Sequence, residues 1–304
     1  MDYVNCNLCP RRCGVDRTAG QRGFCGCPDT ALVAKTMWAL GQSRDPALVA
    51  KAMLHKWEEP ALAGAGGSGA VFLGGCTLRC RYCQNAAISG GAVGKATDSA
   101  GLRQLFEDLI AQGAENIDLV TPTHFLPTIL PALRPKLPVP VVYNCGGYER
   151  VETLRALEGC VDIYLPDFKY ADARLASQLS GAADYFPVAA EAIREMVRQV
   201  GAVRWEGEKV TRGVIIRHLI LPGNVENSLR VLDWIGENFA PGEVLVSLMR
   251  QYTPMGGLPA PFDRRVTDEE YDAVLSWMYL NELEGFTQEA EAADTGFIPD
   301  FLAD

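Results

Sequence analysis

The length, composition and charge of the chain exclude several classes of protein before any motif is considered. Its 304 residues are enough for about two ordinary domains or one large α/β barrel. The residues are 48% hydrophobic and 22% charged, which excludes intrinsic disorder and a fibrous repeat. The net charge of −10 argues against binding to the phosphate backbone of a nucleic acid.

The excess of acidic over basic residues is confined to the C-terminal end of the chain. Val266–Asp304 contains eleven Asp and Glu residues and no Lys or Arg, so residues 1–265 carry a net charge of only +1. We assign residues 253–304 to an acidic helical extension, with a helix over Thr267–Leu280. This charge bears on solubility or on a docking surface, and not on the active site.

The ten cysteines indicate the compartment and the chemistry of the chain. Met1–Cys13 lacks the basic start and apolar run of a secretory signal, and no stretch is apolar enough for a membrane span. We therefore expect a cytoplasmic protein without membrane contact. In that compartment clustered thiols bind metal more often than they form disulfides.

The N-terminal segment is rich in cysteine and arginine and too poor in aliphatic residues to pack by itself. We assign residues 1–62 to this metal-binding extension. Four thiolates at spacings C-x2-C-x3-C-x11-C suit either a closed zinc site or a second iron–sulfur cluster, because sulfur ligands alone do not distinguish the two. These ligands are Cys6, Cys9, Cys13 and Cys25, with Cys27 as a spare. Nearby arginines would offset the charge of a cluster or meet an acidic partner; they are Arg11, Arg12, Arg17 and Arg22.

The central segment, residues 63–252, alternates short β-rich runs with helical patterns. Such repeats predict a parallel sheet with helical crossovers, either a barrel or an open doubly wound sheet, with the chemistry at the C-terminal strand ends. The predicted strands are Ala70–Gly75, Ile117–Thr121, Pro140–Asn144, Asp162–Pro166, Gly213–Leu221 and Glu243–Met249. The helical patterns between them include Ser99–Ala111, Glu149–Leu157, Ala183–Val200 and Glu226–Asn238.

Three cysteines follow the first of these strands at spacing C-x3-C-x2-C. Cys76, Cys80 and Cys83 could bind three irons of a 4Fe–4S cluster and leave the fourth iron open, which is typical of a catalytic site. The alternatives are a zinc site completed by a distant ligand, or three unrelated buried thiols. Tyr82 places an aromatic ring directly before the third cysteine.

This loop resembles the cysteine motif of the radical S-adenosylmethionine (SAM) enzymes. Further segments resemble the iron–sulfur homologues of pyruvate formate-lyase activating enzyme, among them Val120-Thr121-Pro122-Thr123-His124, Asp167-Phe168-Lys169 and Arg217–Gly223. The resemblance implies an α/β fold, a partial (β/α)6 TIM-like barrel. It also implies that the open iron binds SAM, and that electron transfer from the cluster cleaves SAM to a 5′-deoxyadenosyl radical.

The resemblance also assigns SAM contacts at the strand ends. Lys169 and His218 resemble the pair that contacts SAM in the activators, although a surface lysine and a satisfied core histidine are the alternatives. Thr121 and Thr123 occupy the place of the Gly-Gly-Glu run of the activators, and His124 either faces substrate or caps a helix. The residues that we assign to cofactor binding are Tyr82, Asn85, Thr121, Thr123, Asn144, Asp167, Lys169 and His218.

The remaining candidate functional residues are two isolated cysteines and the segment that follows the last predicted barrel strand. Cys145 is either a small buried hydrophobe or a chemical group, and Cys160 is more typical of packing. Residues 250–253 (Arg-Gln-Tyr-Thr) could bind a peptide or small acid, or form a packed rim.

The resemblance implies an oxidoreductase that activates a glycyl-radical enzyme by removing a hydrogen atom from a backbone glycine. We expect a protein or peptide substrate and a reducing donor such as flavodoxin or ferredoxin. The alternatives are radical SAM modification of another peptide, protein or small molecule, and a non-catalytic iron–sulfur or zinc protein. The missing Gly-Gly-Glu run and the N-terminal position of the extra cysteines depart from the activator pattern.

Overall fold

The computed structural model describes residues 2–27, 29, 47–55, 60–63 and 67–288. Its helices are α1 (Pro60–Ala63), α2 (Ala86–Ser89), α3 (Ser99–Ala111), α4 (Leu126–Ala132), α5 (Val151–Arg155), α6 (Ala173–Ser180), α7 (Tyr185–Val200), α8 (Val225–Asn238) and α9 (Asp268–Leu280). Its strands are β1 (Ala47–His55), β2 (Ser68–Leu73), β3 (Lys95–Thr97), β4 (Ile117–Val120), β5 (Val141–Cys145), β6 (Ile163–Pro166), β7 (Arg204–Glu206), β8 (Lys209–Leu219), β9 (Leu245–Met249) and β10 (Gly285–Thr287).

The six predicted strands are all present, with ends shifted by a few residues, as β2, β4, β5, β6, β8 and β9. They lie side by side in this order and run parallel, with helical segments in the connections between them. The sheet does not close, since its path ends at β10 on one side and β3 on the other. The predicted α/β fold, a partial TIM-like barrel, is therefore confirmed.

Local signals explain several helix ends. Asp98 accepts a hydrogen bond from the Gly101 amide at 2.8 Å, so α3 begins at the residue that its apolar spacing predicts. At α9, Thr267 and Glu270 form a reciprocal capping box, which starts the predicted acidic helix at Asp268. Helix α6 ends at Gly181, whose φ of 57° suits glycine best.

Two apolar clusters lie on the two faces of the sheet. The outer face packs against the helices through side chains such as Val71, Leu119 and Val214. On the inner face, apolar side chains from β5, β6, β8 and β9 pack together with α1. This cluster contains Ala61, Leu62, Val142, Ile163, Leu165, Val210, Ile215 and Leu245. Two buried polar side chains, Asp118 of β4 and Asn144 of β5, stand level with members of this cluster, since Asp118 pairs with Val142 and Asn144 with Leu165.

The edge of the sheet next to β2 contains antiparallel strands in addition to the parallel ones. Strand β1 pairs antiparallel with both β2 and β3, an element that the sequence patterns did not predict. It falls within residues 1–62, so its backbone joins the sheet next to the first barrel strand. The two domain boundaries drawn from the sequence, at 62/63 and 252/253, stay predictions. Within the described part of the chain, no helix is long and apolar enough to cross a membrane.

Candidate active site

The three-cysteine loop leaves the C-terminal end of β2 and is held open by backbone conformation. Gly75 has a φ of 79°, and a Cβ atom there would overlap the sulfur of Cys27. Arg79, in the middle of the loop, also has a positive φ, at 51°. The loop thus turns sharply at two points, one directly before Cys76 and one directly before Cys80.

Each cysteine sulfur of the loop has a hydrogen-bond donor. The amide of Leu78 donates to Cys76 Sγ at 3.3 Å, and the hydroxyl of Ser180 donates to Cys80 Sγ at 3.1 Å. The side chain of Ser89 hydrogen-bonds Cys83. Such donors favour thiolates, the form that binds iron.

The surroundings of the loop thiols disfavour their thiolate forms when no metal is bound. Burial raises the pKa of Cys76 to about 12, and the thiols of Cys80 and Cys83 add to this shift. Burial likewise raises the pKa of Cys83. Three partly buried thiols that repel one another as thiolates need a cationic partner, and a 4Fe–4S cluster with three cysteine ligands meets this requirement.

A single ion suits the described residues less well than a cluster. Across the ranges that the structure describes, no group of three or more His, Cys, Asp or Glu side chains is gathered tightly enough to hold one metal ion. A four-iron cluster takes each thiolate on a different iron, so its ligands stand farther apart. The donor set of Cys76, Cys80 and Cys83 fits the cluster by its chemistry, since cysteine thiolates are the ordinary ligands of 4Fe–4S clusters.

Lys169 lies beside these cysteines, held by an acidic neighbour. Its Nζ atom is 2.5 Å from Oδ2 of Asp167, whose Oδ1 lies 3.4 Å from Nε of Arg217. Burial acts to lower the pKa of Lys169, but the Asp167 carboxylate and the thiols of Cys80 and Cys83 raise it above its ordinary value. Although burial opposes it, the pKa of Asp167 is lowered by both cations. The site thus holds a permanent ammonium group next to the cysteine loop.

The connection after β5 brings the cysteine loop and Lys169 together. A Cβ atom at Gly146 would lie 2.8 Å from Cδ1 of Leu78 and 3.8 Å from Cε of Lys169. Gly147 has a φ of 75°, and a Cβ there would overlap the carbonyl oxygen of Asp167. These glycines are needed because the loop, the turn after β5 and the end of β6 meet at this point.

His218 does not join this group. Its side chain is fully buried, and its Nδ1 and Nε2 atoms lie 2.7 Å from the Phe168 carbonyl oxygen and 2.9 Å from the Ser228 hydroxyl of α8. Burial lowers its pKa to about 4. His218 as placed has no ring nitrogen left for SAM, so it corresponds to the satisfied core histidine. Arg217, on the opposite face of β8, reaches Asp167 instead.

The other predicted contacts divide between the mouth of the barrel and its walls. Asn144 is buried on the inner face and donates to Asp118 at 3.3 Å. Thr121 directly follows β4 and has a φ of 59°, which is rare for a β-branched residue; its amide donates to the Asn144 carbonyl at 2.8 Å. Asn85 precedes α2 and its side chain makes no capping hydrogen bond. These three residues remain predicted SAM contacts.

Tyr82 and Thr123 are instead engaged with the protein. The Tyr82 hydroxyl accepts a hydrogen bond from Tyr170 at 2.9 Å, and its ring packs 5.9 Å from the ring of Tyr252. Thr123 is buried and donates to Oε1 of Glu149 at 2.7 Å. Their predicted part in cofactor binding stays a prediction, and both contacts point to a structural role.

Glu149 is a buried carboxyl group that the sequence patterns did not single out. Burial raises its pKa to about 8, although hydrogen bonds from Thr123, Tyr143 and Cys145 oppose the shift. Cys145 lies in the apolar cluster of the outer face, which agrees with the packing alternative. The signal for Glu149 in the sequence was only an acidic residue two positions after a glycine pair.

The N-terminal element covers the cysteine loop. Arg11 donates through Nε to the Thr77 carbonyl at 3.0 Å and through Nη2 to the Ser180 carbonyl at 2.7 Å. Cys27 donates to the Gly74 carbonyl at 3.3 Å. His124, predicted either to face substrate or to cap a helix, is buried with Nε2 2.7 Å from the same carbonyl.

Three of the four N-terminal cysteines, Cys9, Cys13 and Cys25, lie near one another. The thiol of Cys9 is influenced by those of Cys13 and Cys25, and burial raises the pKa of Cys9 to about 12. The Cys27 side chain holds the pKa of Cys25 below its ordinary value. The second metal site, with zinc or an iron–sulfur cluster, stays a prediction.

Comparisons with known proteins agree with the fold and the loop. The model of a 4Fe–4S single cluster domain matches residues 62–125, which include all three cysteines of the loop. An uncharacterised protein of Methanocaldococcus jannaschii is 27% identical over 285 residues, covering 90% of this chain and 74% of that protein.

Two solved structures share the fold. The first is SuiB of Streptococcus suis bound to the precursor peptide SuiA, with a TM-score of 0.50, 14% identity, and coverage of 72% of this chain and 47% of that chain. The second is HydG, a maturase of the [FeFe]-hydrogenase, with a TM-score of 0.50, 14% identity, and coverage of 75% and 54%. The chain thus spans about half the length of each.

Both structures are radical SAM enzymes. At 14% identity, the similarity shows that the fold is shared and nothing more. The cysteine loop at the end of the first barrel strand lies within the segment that matches the cluster domain. The chain therefore has the fold of these radical SAM enzymes, and its residues 62–125, which contain Cys76, Cys80 and Cys83, match the model of a 4Fe–4S single cluster domain.

Proposed function

We propose that the chain is an enzyme that reductively cleaves SAM at a 4Fe–4S cluster bound by Cys76, Cys80 and Cys83. The observation that supports it most directly is the position of the Lys169 ammonium beside these thiols. When bound, the cluster supplies the electron for cleavage and an open iron for SAM. The electron comes from a reduced protein donor such as flavodoxin or ferredoxin.

The residues around the loop have separable parts in this function. Lys169 binds the SAM carboxylate, because a fixed ammonium forms a charge-assisted hydrogen bond with an anion. Asp167 orients Lys169, and Arg217 holds the other oxygen of Asp167. Leu78 and the glycine turn at Gly146 pack together and exclude water from this side of the site.

Free thiols agree with a reducing compartment. All ten cysteines fall within the described residues and each is a free thiol. Because cytosolic reductants keep thiols in this state, we propose that the protein acts in the cytoplasm.

For the substrate we propose a backbone glycine of a glycyl-radical enzyme, from which the cleaved SAM removes a hydrogen atom. The support is the resemblance of Asp167-Phe168-Lys169 and of the region around His218 to the activators. The expected signal is an electron paramagnetic resonance (EPR) spectrum of a glycyl radical when the loaded enzyme, SAM and reductant are mixed with a co-encoded large enzyme. No such signal with any co-encoded large enzyme would count against activation.

A second candidate is the modification of another peptide, protein or small molecule. The departure of the β4 end from Gly-Gly-Glu favours it, since Thr123 is bound to Glu149 and His124 to Gly74. The mass of a co-encoded precursor peptide, measured before and after reaction, would detect this activity.

Cleavage of SAM is tested by anaerobic reconstitution with iron and sulfide. The wild-type chain should contain about four irons at the loop and release 5′-deoxyadenosine from SAM with a strong reductant. Cys80→Ala should lose both properties, whereas Cys160→Ala, which changes a buried cysteine outside the loop, should keep them. A Cys80→Ala protein that still cleaved SAM would overturn the proposal.

A further inference from the structure

The sulfur of Cys80 differs from the other two in the origin of its hydrogen-bond donor. Leu78 and Ser89 lie on the loop itself or directly after it, close to Cys76 and Cys83 in the chain. The donor to Cys80 is Ser180, which is 100 residues away at the C-terminal end of α6. The 3.1 Å contact between Ser180 Oγ and Cys80 Sγ therefore depends on how α6 is docked.

The end of α6 is docked on the loop by backbone contacts. The amide of Arg81 donates to the Leu179 carbonyl at 2.8 Å, one residue before Ser180. Arg11 joins both sides, since it donates to the carbonyls of Thr77 and Ser180. These contacts fix the distance between Ser180 and Cys80, so the hydroxyl does not reach the sulfur by chance rotation of a loose chain.

The hydroxyl of Ser180 belongs to a buried chain of polar groups. Its Oγ lies 2.7 Å from the Tyr170 hydroxyl, which donates to Tyr82 at 2.9 Å. All three side chains are buried, with exposed fractions of 5% or less. Because hydroxyl protons rotate, the chain can also run in the opposite sense, with Tyr82 donating to Tyr170, Tyr170 to Ser180 and Ser180 to Cys80. A thiolate bound to iron carries no proton, so only Ser180 can be the donor in that contact.

We propose that Ser180 raises the reduction potential of the cluster by this hydrogen bond to Cys80, an inference that rests on the proposed function. Reduction adds one electron, taken from an external reductant, and makes the cluster and its thiolates more negative. A hydrogen bond to sulfur stabilises the more negative state, and in a buried site water does not replace it. Ser180 acts through Cys80 and keeps its proton, so it is a positioning residue and not a catalytic one.

The test is a potentiometric titration of the full chain, loaded anaerobically with iron and sulfide and reduced with dithionite in the absence of SAM. The EPR signal of the reduced cluster gives the midpoint potential. Ser180→Ala should keep the iron content of the wild type and shift the midpoint to a more negative value. Ser177→Ala, an exposed serine on the same helix, should leave the midpoint unchanged.

A second pair of variants separates the hydrogen bond from the shape of the side chain. Thr and Val have nearly the same volume, but only Thr keeps the hydroxyl. Ser180→Thr should therefore have a midpoint less negative than Ser180→Val at equal iron content. This pair decides the question if Ser180→Ala loads less iron than the wild type.

The outcomes distinguish this inference from the function on which it rests. Equal midpoints in the wild type and Ser180→Ala, or in the Thr and Val variants, would overturn the part assigned to Ser180 and leave the cluster in place. A wild-type chain that takes up no 4Fe–4S cluster would overturn both proposals.

Discussion

The ammonium of Lys169 lies 2.5 Å from the carboxylate of Asp167, and both groups stand next to the cysteine loop. Asp167 also contacts Arg217 on the neighbouring strand, so its charge is shared between two cations. A carboxylate held in this way orients Lys169, and these three side chains together carry one net positive charge that an anionic ligand can meet.

Replacement of Lys169 should weaken SAM binding without loss of the cluster. A hydrogen bond to a charged group is worth about 1.5–3 kcal/mol, so Lys169→Ala should raise the dissociation constant of SAM roughly ten- to a hundredfold. Equilibrium dialysis with labelled SAM and the iron-loaded protein measures this. Lys136→Ala is the control, because Lys136 also pairs with an aspartate, Asp162, at 2.6 Å. Equal SAM affinity in the two variants would rule out the contact.

The pH dependence of stability should reveal Glu149. Its folded pKa of about 8 lies above the ordinary glutamate value of 4.5, so the folded state binds its proton more tightly than the unfolded state. Its contribution is therefore most favourable below about pH 4.5 and is lost as the pH rises toward 8, at about 1.4 kcal/mol per unit. Glu149→Gln removes this titration and keeps groups that can bond to Thr123 and Tyr143.

The comparison of melting temperatures at about pH 5 and about pH 8 isolates this effect. The variant should gain stability relative to the wild type at the higher pH, while other titrating groups act on both proteins alike. The same difference in melting temperature at both pH values would show that Glu149 is not held protonated.

The two glycines at 147 and 159 allow steric overlap to be separated from backbone strain. Their φ values are 75° and 78°, but a Cβ at Gly159 meets nothing within 4 Å, whereas one at Gly147 overlaps Asp167. Gly159→Ala should cost about 1 kcal/mol of unfolding free energy, the usual cost of a left-handed alanine. Gly147→Ala should cost more and should also lower SAM affinity, because Asp167 must move. Denaturant unfolding and SAM binding measure the two effects.

Removal of the Arg11 side chain should loosen the contact between α6 and the loop. Arg11 donates to carbonyls from both, including Gly181 at 2.5 Å, so Arg11→Ala leaves Thr77, Ser180 and Gly181 without these bonds. We expect lower iron retention during chelator challenge. Arg22→Ala, which changes an exposed arginine of the same element, should behave as the wild type. Retention equal to that of the control would show that the bridge is dispensable.

The barrel strands could be predicted because each is a short apolar run between helical patterns. Ala70–Gly75 and Ile117–Thr121 both appear, since parallel strands buried on two faces carry a continuous apolar signal. The same continuous apolar signal made it impossible to predict which side chains of β8 face the barrel interior. Because both of its faces are buried, no alternation shows which of Arg217 and His218 faces the interior, and the structure places Arg217 there.

Contacts between distant segments were beyond the reach of sequence patterns. Nothing local in Ser180 indicates Cys80, and nothing in Arg11 indicates the end of α6. Strand β1 pairs with β2 through backbone groups, which leave little trace in residue type. The cysteine spacing, in contrast, is local, and the loop therefore carried most of the functional prediction.

The bridge from Arg11 to Ser180 spans 169 residues of chain, and Cys80 lies between its two ends. During synthesis the three cysteines leave the ribosome well before the helix that completes their surroundings. Contacts of such large separation close late in folding, because the loop entropy must first be overcome. We therefore expect the metal centre to assemble after the chain has been completely synthesised. Ser180 reaches Cys80 only when the final tertiary structure has formed.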